Sequence, residues 1–360
     1  MRYMRKIKLL SRFKKALHDP GRKSILKILK EYIYFKLTNS AIAEQYFNKY
    51  LYNKNITEPE NYIITTNLMT RAWRLNNEDY IPLLRNKQAT EIFFSRNGLP
   101  VIKSIMHNLN NLFFIGEDSF YIKNRESFIN LLKKLKTSGH WKTSSLIIKK
   151  TEDSSQGFNI FKILEEELTP NNESIEKIFK TIIKSKYLFQ DFIQQHPDLN
   201  KINPNAVNTL RIDTFTDTGE NIHVINAALR ISSGKAYLDS APLGGIQAGV
   251  NLNNGTLHGE AFGDFENGFA RIYNSHPLTG IEFAGYKVPY FEEAINLAVK
   301  AAKELPEIRI VGWDIAITSE GPVLLEGNNF PGLAFSEISQ KGFKNNAVVA
   351  RMIKESLSLV

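Results

Sequence analysis

The chain has 360 residues, 42% of them hydrophobic, which suits a globular protein of two or three lobes. It contains no cysteine, which excludes disulfides, thiolate metal sites and a cysteine nucleophile. The net charge of +9 is uneven, because residues 1–37 carry 12 Lys or Arg against Asp19 and Glu31, and the remainder sums to −1.

No apolar run reaches the ~18–20 residues a membrane-spanning helix needs. The basic N-terminus is not followed by the apolar segment of a secretory signal, so a cytoplasmic location is expected. Residues 1–85 are predicted to be mostly helical. In the basic arm, Ile7, Leu10, Phe13 and Leu17 recur at helical spacing, as do Ile25, Ile28, Leu29, Tyr32 and Ile33 after Asp19-Pro20-Gly21. Lys and Arg take much of the other face. Such a helix pair suits a solvated hairpin packed on the main body. A second reading is peripheral contact, through residues 1–37, with the inner face of an anionic membrane or with a polyanionic glycan, but the packed hairpin is the favoured expectation. No nucleic-acid partner is expected, since the rest of the chain has no basic stripe interleaved with aromatics.

Asn86 to Asn97 reads as a helix closed by Gly98-Leu99-Pro100, with a short strand from Val101. Arg125 to Leu135 and Glu173 to Lys184 are amphipathic helices. Ser144 to Lys149 is a strand that pairs with Phe158 to Leu164, and Tyr187 to Ile193 is another. Thr209 to Phe215 and Asn221 to Ile231 are strands, followed by short strands with Gly-rich turns to Tyr273. Pro289 to Glu304 is a helix, and a last helix starts near Asn345. Strands and helices mix without a βαβ beat, which predicts an α+β fold over mostly antiparallel sheets.

The most informative run is Gly312 to Thr318, a turn at Ser319 to Pro322, then Val323 to Gly332. Two apolar strands joined by a tight turn predict a hairpin. That hairpin brings Asp314 near Glu326 and Asn328, and the last two, spaced by two residues, share one face. Three oxygen ligands on one surface suit Mg²⁺ bridging the phosphates of a nucleotide.

Upstream, a strand ending in Lys149 and Lys150 leads into Thr151-Glu152-Asp153-Ser154-Ser155-Gln156-Gly157. A Lys supplies a point charge for phosphate oxygens, and a Ser-Ser-x-Gly turn brings backbone N–H groups and hydroxyls to the same phosphates. Arg211 and Arg230 each fall on a predicted strand. Two guanidiniums beside a metal–phosphate site can hold a carboxylate and then stabilise an acyl-phosphate or a tetrahedral oxyanion.

Asp314, Glu326-x-Asn328 and Pro331-Gly332, in this order, resemble the metal signature of the ATP-grasp superfamily, which includes D-alanine–D-alanine ligase and the glutamate-adding ligases. Asn-Thr-Leu-Arg ending at Arg211, Gly244-Gly245-Ile246-x-x-Gly249-Val250 and His276-Pro277-x-Thr279-Gly280 resemble more particularly the sugar-transfer-associated ATP-grasp group. The resemblance covers roughly Lys87 to Pro331. It implies an ATP-grasp fold, two α+β lobes clasping ATP, preceded by a helical N-terminal region. The implied parts are a basic helical region (1–85), a pre-ATP-grasp segment (86–143), a small lobe (144–195) and a large lobe with the metal site (196–360).

The family's phosphate segment reads Lys-Pro, two residues, Gly-Ser-Ser-x-Gly. Aligned on Ser154, Ser155 and Gly157, the Lys falls at Lys149, but Lys150 replaces the usual Pro and Asp153 the first Gly, leaving Lys149 and Lys150 both open. The hinge segment Glu-Glu-x-Ile corresponds to Gln190-Asp191-Phe192-Ile193, which implies adenine recognition by Gln190, Asp191 and the backbone to Ile193. His196 is a candidate for the ribose, and Lys87, from the family's Asp-Lys before the helix, for phosphate. His276 fits either a turn or a substrate contact.

The expected activity is an ATP- and Mg²⁺-dependent carboxylate–amine ligase working through an acyl-phosphate, with Arg211 and Arg230 catalytic. By family analogy the carboxylate is a uronic acid in polysaccharide or cell-surface glycan synthesis, and the amine an amino acid or amino sugar. The alternatives are a phosphotransferase acting on a sugar hydroxyl and a non-catalytic glycan-binding module.

Overall fold

The computed structural model describes residues 11–152, 159–234, 236–239, 244–263 and 271–358. The N-terminal region is helical, as expected. Residues 11–18 are helical and lead to α1 (Ile25–Thr38), α2 (Ser40–Gln45), α3 (Thr66–Trp73), α4 (Ile81–Arg85) and α5 (Lys87–Arg96). Asn86 caps α5, its Oδ1 accepting from Gln88 N at 3.1 Å and Ala89 N at 3.0 Å. The helix stops at Gly98, whose φ of 74° is the left-handed turn that glycine adopts without strain.

A first sheet contains β1 (Ser104–Leu109), β2 (Leu112–Ile115), β3 (Asp118–Tyr121), β4 (Ser145–Lys150), β5 (Ile160–Leu164) and β6 (Lys186–Asp191). Its order is β3-β2-β1-β6-β4-β5, with every neighbouring pair antiparallel. Helices α6 (Arg125–Thr137) and α7 (Glu173–Ile182) cover one face. They bury Phe128, Leu132, Leu135, Phe179 and Ile182 against Phe113, Leu146, Ile148 and Phe189. Alternation therefore turns Ile147, Lys149 and Gln190 to the other face. A division at residue 144 runs through this sheet: β1 pairs with β6 and β6 with β4, so residues 104–121 share a sheet and a core with β4–β6. Sequence spacing could not show that pairing, because β6, the second partner of β1, lies some eighty residues on.

After α8 (Pro197–Ile202) comes a second sheet of β7 (Thr209–Thr216), β8 (Ile222–Ser232), β9 (Gly245–Val250), β10 (Leu257–Gly263), β11 (Arg271–Tyr273), β12 (Ile310–Thr318) and β13 (Gly321–Asn328). It is antiparallel, in the order β11-β10-β9-β8-β7-β12-β13. Pro322 is accommodated because β13 is the last strand of that order. Helix α9 (Phe291–Lys303) packs Ala294, Leu297, Ala298 and Ala301 on one face, against Leu210, Ile212, Leu229, Trp313 and Ile315. Each such Leu or Ile contributes roughly 2 kcal/mol relative to exposure.

Helix α10 (Leu333–Ser339) covers part of the opposite face. Gly249 admits it: a Cβ there would lie 2.2 Å from the Ser339 carbonyl oxygen. Helix α11 (Ala347–Leu357) packs Val349 and Met352 with Ile64, Ala72 and Phe215, tying α3 to the second sheet. The N-terminal region is also pinned by a buried ion pair, Lys49 to Glu337 on α10. Glu337 Oε1 accepts from Ile63 N at 2.5 Å and Ile64 N at 3.0 Å.

Candidate nucleotide and metal site

Strand register assembles the site. Asp314 on β12 is paired with Arg211 on β7 to one side and with Glu326 on β13 to the other. One step along, Gly312 pairs with Asn328 and Asp213; one step back, Thr209 pairs with Arg230. Side chains two apart share a face, so these rows set Arg211, Arg230, Asp314, Glu326 and Asn328 on the face opposite α9.

Arg211 Nε donates to Asp314 Oδ1 at 2.6 Å and its Nη2 to Oδ2 at 2.9 Å. Arg230 Nη1 donates to the same Oδ2 at 3.1 Å. Asn328 Nδ2 lies 3.2 Å from Asp314 Oδ2 and 3.5 Å from Glu326 Oε1, so the three expected ligands converge. Burial alone would raise the Asp314 carboxyl, but the Arg211 and Arg230 guanidiniums more than offset it and hold it well below the usual carboxylate range. Asp314 is thus ionised at neutral pH. Burial opposes the Arg211 charge too, yet Asp314 raises its pKa above the ordinary value.

Across a cleft stands the first sheet. Ile147, Lys149, Gln190 and Ile193 line it from that side; Arg230, Asp314 and Glu326 line it from the other. Lys87, at the start of α5, also faces in, with Nζ 3.2 Å from Glu326 Oε2. The Lys87 amide donates to Thr151 O at 2.9 Å, and Asn86 Nδ2 to Glu152 Oε1 at 2.8 Å, which ties this helix start to the end of β4. Burial lowers the Lys149 pKa, with Glu326 opposing the shift. Lys149 lines the cleft, and alternation along β4 turns Lys150 to the other face. The Gln190 Oε1 is buried without a hydrogen-bond partner. An unpartnered amide oxygen in a cleft fits a ligand N–H, such as the edge of a nucleobase.

Other expected residues are placed differently. Ser154, Ser155 and Gly157 lie outside the described residues. Asp191 borders the cleft, but its carboxylate accepts from Lys142 N, Thr143 N and Thr143 Oγ1 at 3.0, 3.1 and 2.9 Å, and so fixes the 142–143 loop. His196 is not among the cleft-lining residues. It caps α8, with Nδ1 accepting from Asp198 N at 3.1 Å, and its ring meets Tyr290 edge-on. His276 organises a turn: it is buried between Ser232 O and Thr279 Oγ1, at 2.8 and 3.1 Å.

The sequence reading missed Asp239. It lines the cleft, accepts from the Thr209 hydroxyl and lies 3.7 Å from Arg230 Nη2. Burial raises its carboxyl pKa, with Arg230 opposing. An isolated Asp in Tyr237-Leu238-Asp239-Ser240 carries no local pattern that could have marked it. It also missed Asn76, which is buried and donates to Asn329 O at 2.7 Å and Ile310 O at 2.9 Å, fixing the chain just after Asn328.

Carboxylate oxygens are hard donors and Asp314 is ionised, so Asp314 and Glu326 fit Mg²⁺; Asn328 turns its Nδ2 toward them, and rotation of its amide would present the oxygen. Among the described residues no group of three His, Cys, Asp or Glu forms a metal cluster, so the amide of Asn328 is the third donor available here.

Two lobes of antiparallel sheet around a cleft lined by lysines and acids define an ATP-grasp fold. The family model for sugar-transfer-associated ATP-grasp proteins matches residues 70–350, and the chain belongs to that family. A comparison with curated proteins gave no match. Among solved structures, the chain is similar to the ADP complex of N5-carboxyaminoimidazole ribonucleotide synthetase, at 12% identity and TM-score 0.43, covering 77% of this chain and 54% of that one. It is similar to D-alanyl-alanine synthetase A from Vibrio cholerae O1 at 15% identity and TM-score 0.44, covering 76% and 66%. It is also similar to the biotin carboxylase domain of the Hydrogenobacter thermophilus 2-oxoglutarate carboxylase, at 13% identity and TM-score 0.45, covering 79% and 48%. The chain thus spans half to two thirds of the length of these structures.

Proposed function

We propose that this chain is an ATP-dependent carboxylate–amine ligase that activates a sugar acid, of the uronic type, in glycan synthesis. The observation that carries the reading is the convergence of Arg211 and Arg230 on Asp314, beside Glu326 and facing the Lys149 strand. Family membership supports the nucleotide, and the family's description supports the sugar.

Asp314, Glu326 and Asn328 would hold Mg²⁺, which when bound neutralises charge on the nucleotide's phosphates. Lys87 and Lys149 bind the phosphate oxygens, and Gln190 reads the adenine edge. Arg211 and Arg230 orient the substrate carboxylate. A carboxylate oxygen attacks the γ-phosphorus, the bond to the β-phosphate oxygen breaks, and ADP leaves. The amine then attacks the acyl carbon of the acyl-phosphate. The two guanidiniums stabilise the oxyanion, the carbon–oxygen bond to phosphate breaks, and an amide forms. No protein nucleophile is required, in keeping with a chain that has no cysteine.

The test is release of ADP and phosphate over a matrix of uronic acids and amines, with mass spectrometry of products. Phosphate release that requires both partners, and a product mass equal to acid plus amine less water, supports the ligase. A stable phosphorylated sugar would overturn it in favour of phosphoryl transfer to a hydroxyl.

A further inference from the structure

Helix α1 has two apolar faces. One buries Ile28 and Phe35 in a cluster with Tyr46 and Phe47. The other carries Leu26, Leu29, Ile33 and Leu37, which are 74%, 41%, 56% and 81% exposed. At 100° per residue these four fall within a band of about 80° on the helix surface. Lys36 and Lys30 border that band on its two sides, and Lys27 lies beyond Lys30. The only acid of the helix, Glu31, is turned inward: it takes Lys23 Nζ at 2.8 Å and the Tyr46 hydroxyl at 2.6 Å. The outward face is therefore apolar at its centre, cationic at its margins and free of negative charge.

From this face we infer that α1 docks the protein on the surface of an anionic phospholipid bilayer. Leucines at the centre enter the acyl boundary, and the flanking ammoniums meet lipid phosphates. The chemistry selects this occupant. A soluble polyanionic glycan would use the lysines and leave four large apolar side chains in water. A second copy of the chain would set Lys27, Lys30 and Lys36 against their own kind. The helix lies in the interface and does not cross it: its 14 residues extend about 21 Å, short of the ~30 Å hydrocarbon core. Among the described residues no helix is long and apolar enough to span a membrane. The exposed Arg12 and Lys14 on the preceding helical turns add to the same charge. The inference uses no residue of the cleft, so it stands or falls apart from the proposed activity.

The experiment is co-sedimentation of the full chain with vesicles of phosphatidylcholine alone or mixed with phosphatidylglycerol, at low and high salt. Binding to the mixed vesicles should exceed binding to the neutral ones roughly tenfold or more, and fall with salt. Leu26→Ser with Leu37→Ser, both at exposed positions, should lower it about tenfold without changing the thermal unfolding temperature. Lys30→Gln with Lys36→Gln should remove the preference for anionic lipid. Equal recovery with both vesicle types overturns the inference. So does a concentration-dependent dimer, seen in sedimentation velocity, that the leucine variants abolish. Binding to soluble polyuronate that the lysine variants lose and the leucine variants keep would also overturn it.

Discussion

Arg211 holds Asp314 through two parallel hydrogen bonds, 2.6 Å at Nε and 2.9 Å at Nη2, between residues directly opposite each other on β7 and β12. The fork geometry is the strong form of the arginine–carboxylate pair. It makes Asp314 serve two groups at once. The same carboxylate anchors the guanidiniums on the substrate side and, in the proposed site, supplies a ligand on the metal side. Glu326, on β13, meets the Lys87 ammonium instead of a guanidinium and is one-third exposed.

That difference separates two substitutions. Asp314→Asn leaves two guanidiniums facing an uncharged group in a buried setting, and should destabilise the fold by about 3 kcal/mol. Glu326→Gln should cost no more than about 1 kcal/mol. Both should reduce ADP release by roughly a hundredfold or more. Urea denaturation beside a coupled ADP assay checks the pair. Full turnover in Glu326→Gln would remove the metal assignment.

Burial lowers the pKa of Lys149, and this gives opposite signs for stability and for binding. Between the folded and the unfolded pKa the unfolded chain binds more protons, so stability should rise with pH across that window. Phosphate binding needs the ammonium, so nucleotide affinity should fall as pH rises through the folded pKa. Lys149→Arg keeps its charge and should hold affinity at alkaline pH, while Lys149→Gln should be weak and flat. Calorimetric titration of nucleotide over an alkaline series is the measurement.

Asn76 does not line the cleft but holds the chain next to Asn328, a proposed metal ligand. Besides its two donated bonds, its Oδ1 accepts from Ile310 N at 2.8 Å. Asn76→Ala leaves these backbone groups buried and unpaired, at a cost of about 2 kcal/mol. Because one partner is the carbonyl of Asn329, the Mg²⁺ concentration for half-maximal ADP release should rise about tenfold. An unchanged Mg²⁺ requirement would show that the loop holds itself.

The Lys49–Glu337 pair joins the N-terminal region to α10, and both side chains are buried. Burial pulls the Lys49 pKa down even though Glu337 opposes the shift, the mark of a pair costly to break. Lys49→Met should destabilise by about 3–5 kcal/mol. Adding Glu337→Gln keeps acceptors for Ile63 and Ile64 and removes the orphaned charge, so the double variant should recover at least about 1 kcal/mol. A double-mutant cycle in urea reads the coupling.

What the sequence determined is what neighbours along the chain decide. The apolar run ending in Lys149 and Lys150 implied a strand that carries a lysine at its end, and β4 (Ser145–Lys150) is that strand. The two apolar runs around Ser319-Glu320 implied a hairpin, and β12 and β13 form it; the turn alone would set Asp314 opposite Leu325, and a register shift between Asp314 and Ile315 sets it opposite Glu326 instead. The family's motif order located the fold before any contact was visible. Asn86 before the Lys87 helix and Gly98 after it were legible as punctuation, because capping is satisfied within a few residues.

Tertiary structure decided the rest, because it turns on pairing between distant segments. The Arg211–Asp314 fork joins residues about a hundred apart, and nothing local fixes which strand lies beside β12. Asp239 enters the cleft only because the chain beyond β8 folds back over Thr209. Asp191 and His196, which the motif comparison set beside the nucleotide, are spent on the 142–143 loop and on capping α8, since each finds a closer backbone partner. The helical period of the arm grouped Ile28 with Leu29 and Ile33 on one face. Docking against Tyr46 and Phe47 divided them, because only the packed body defines which side of a helix faces inward.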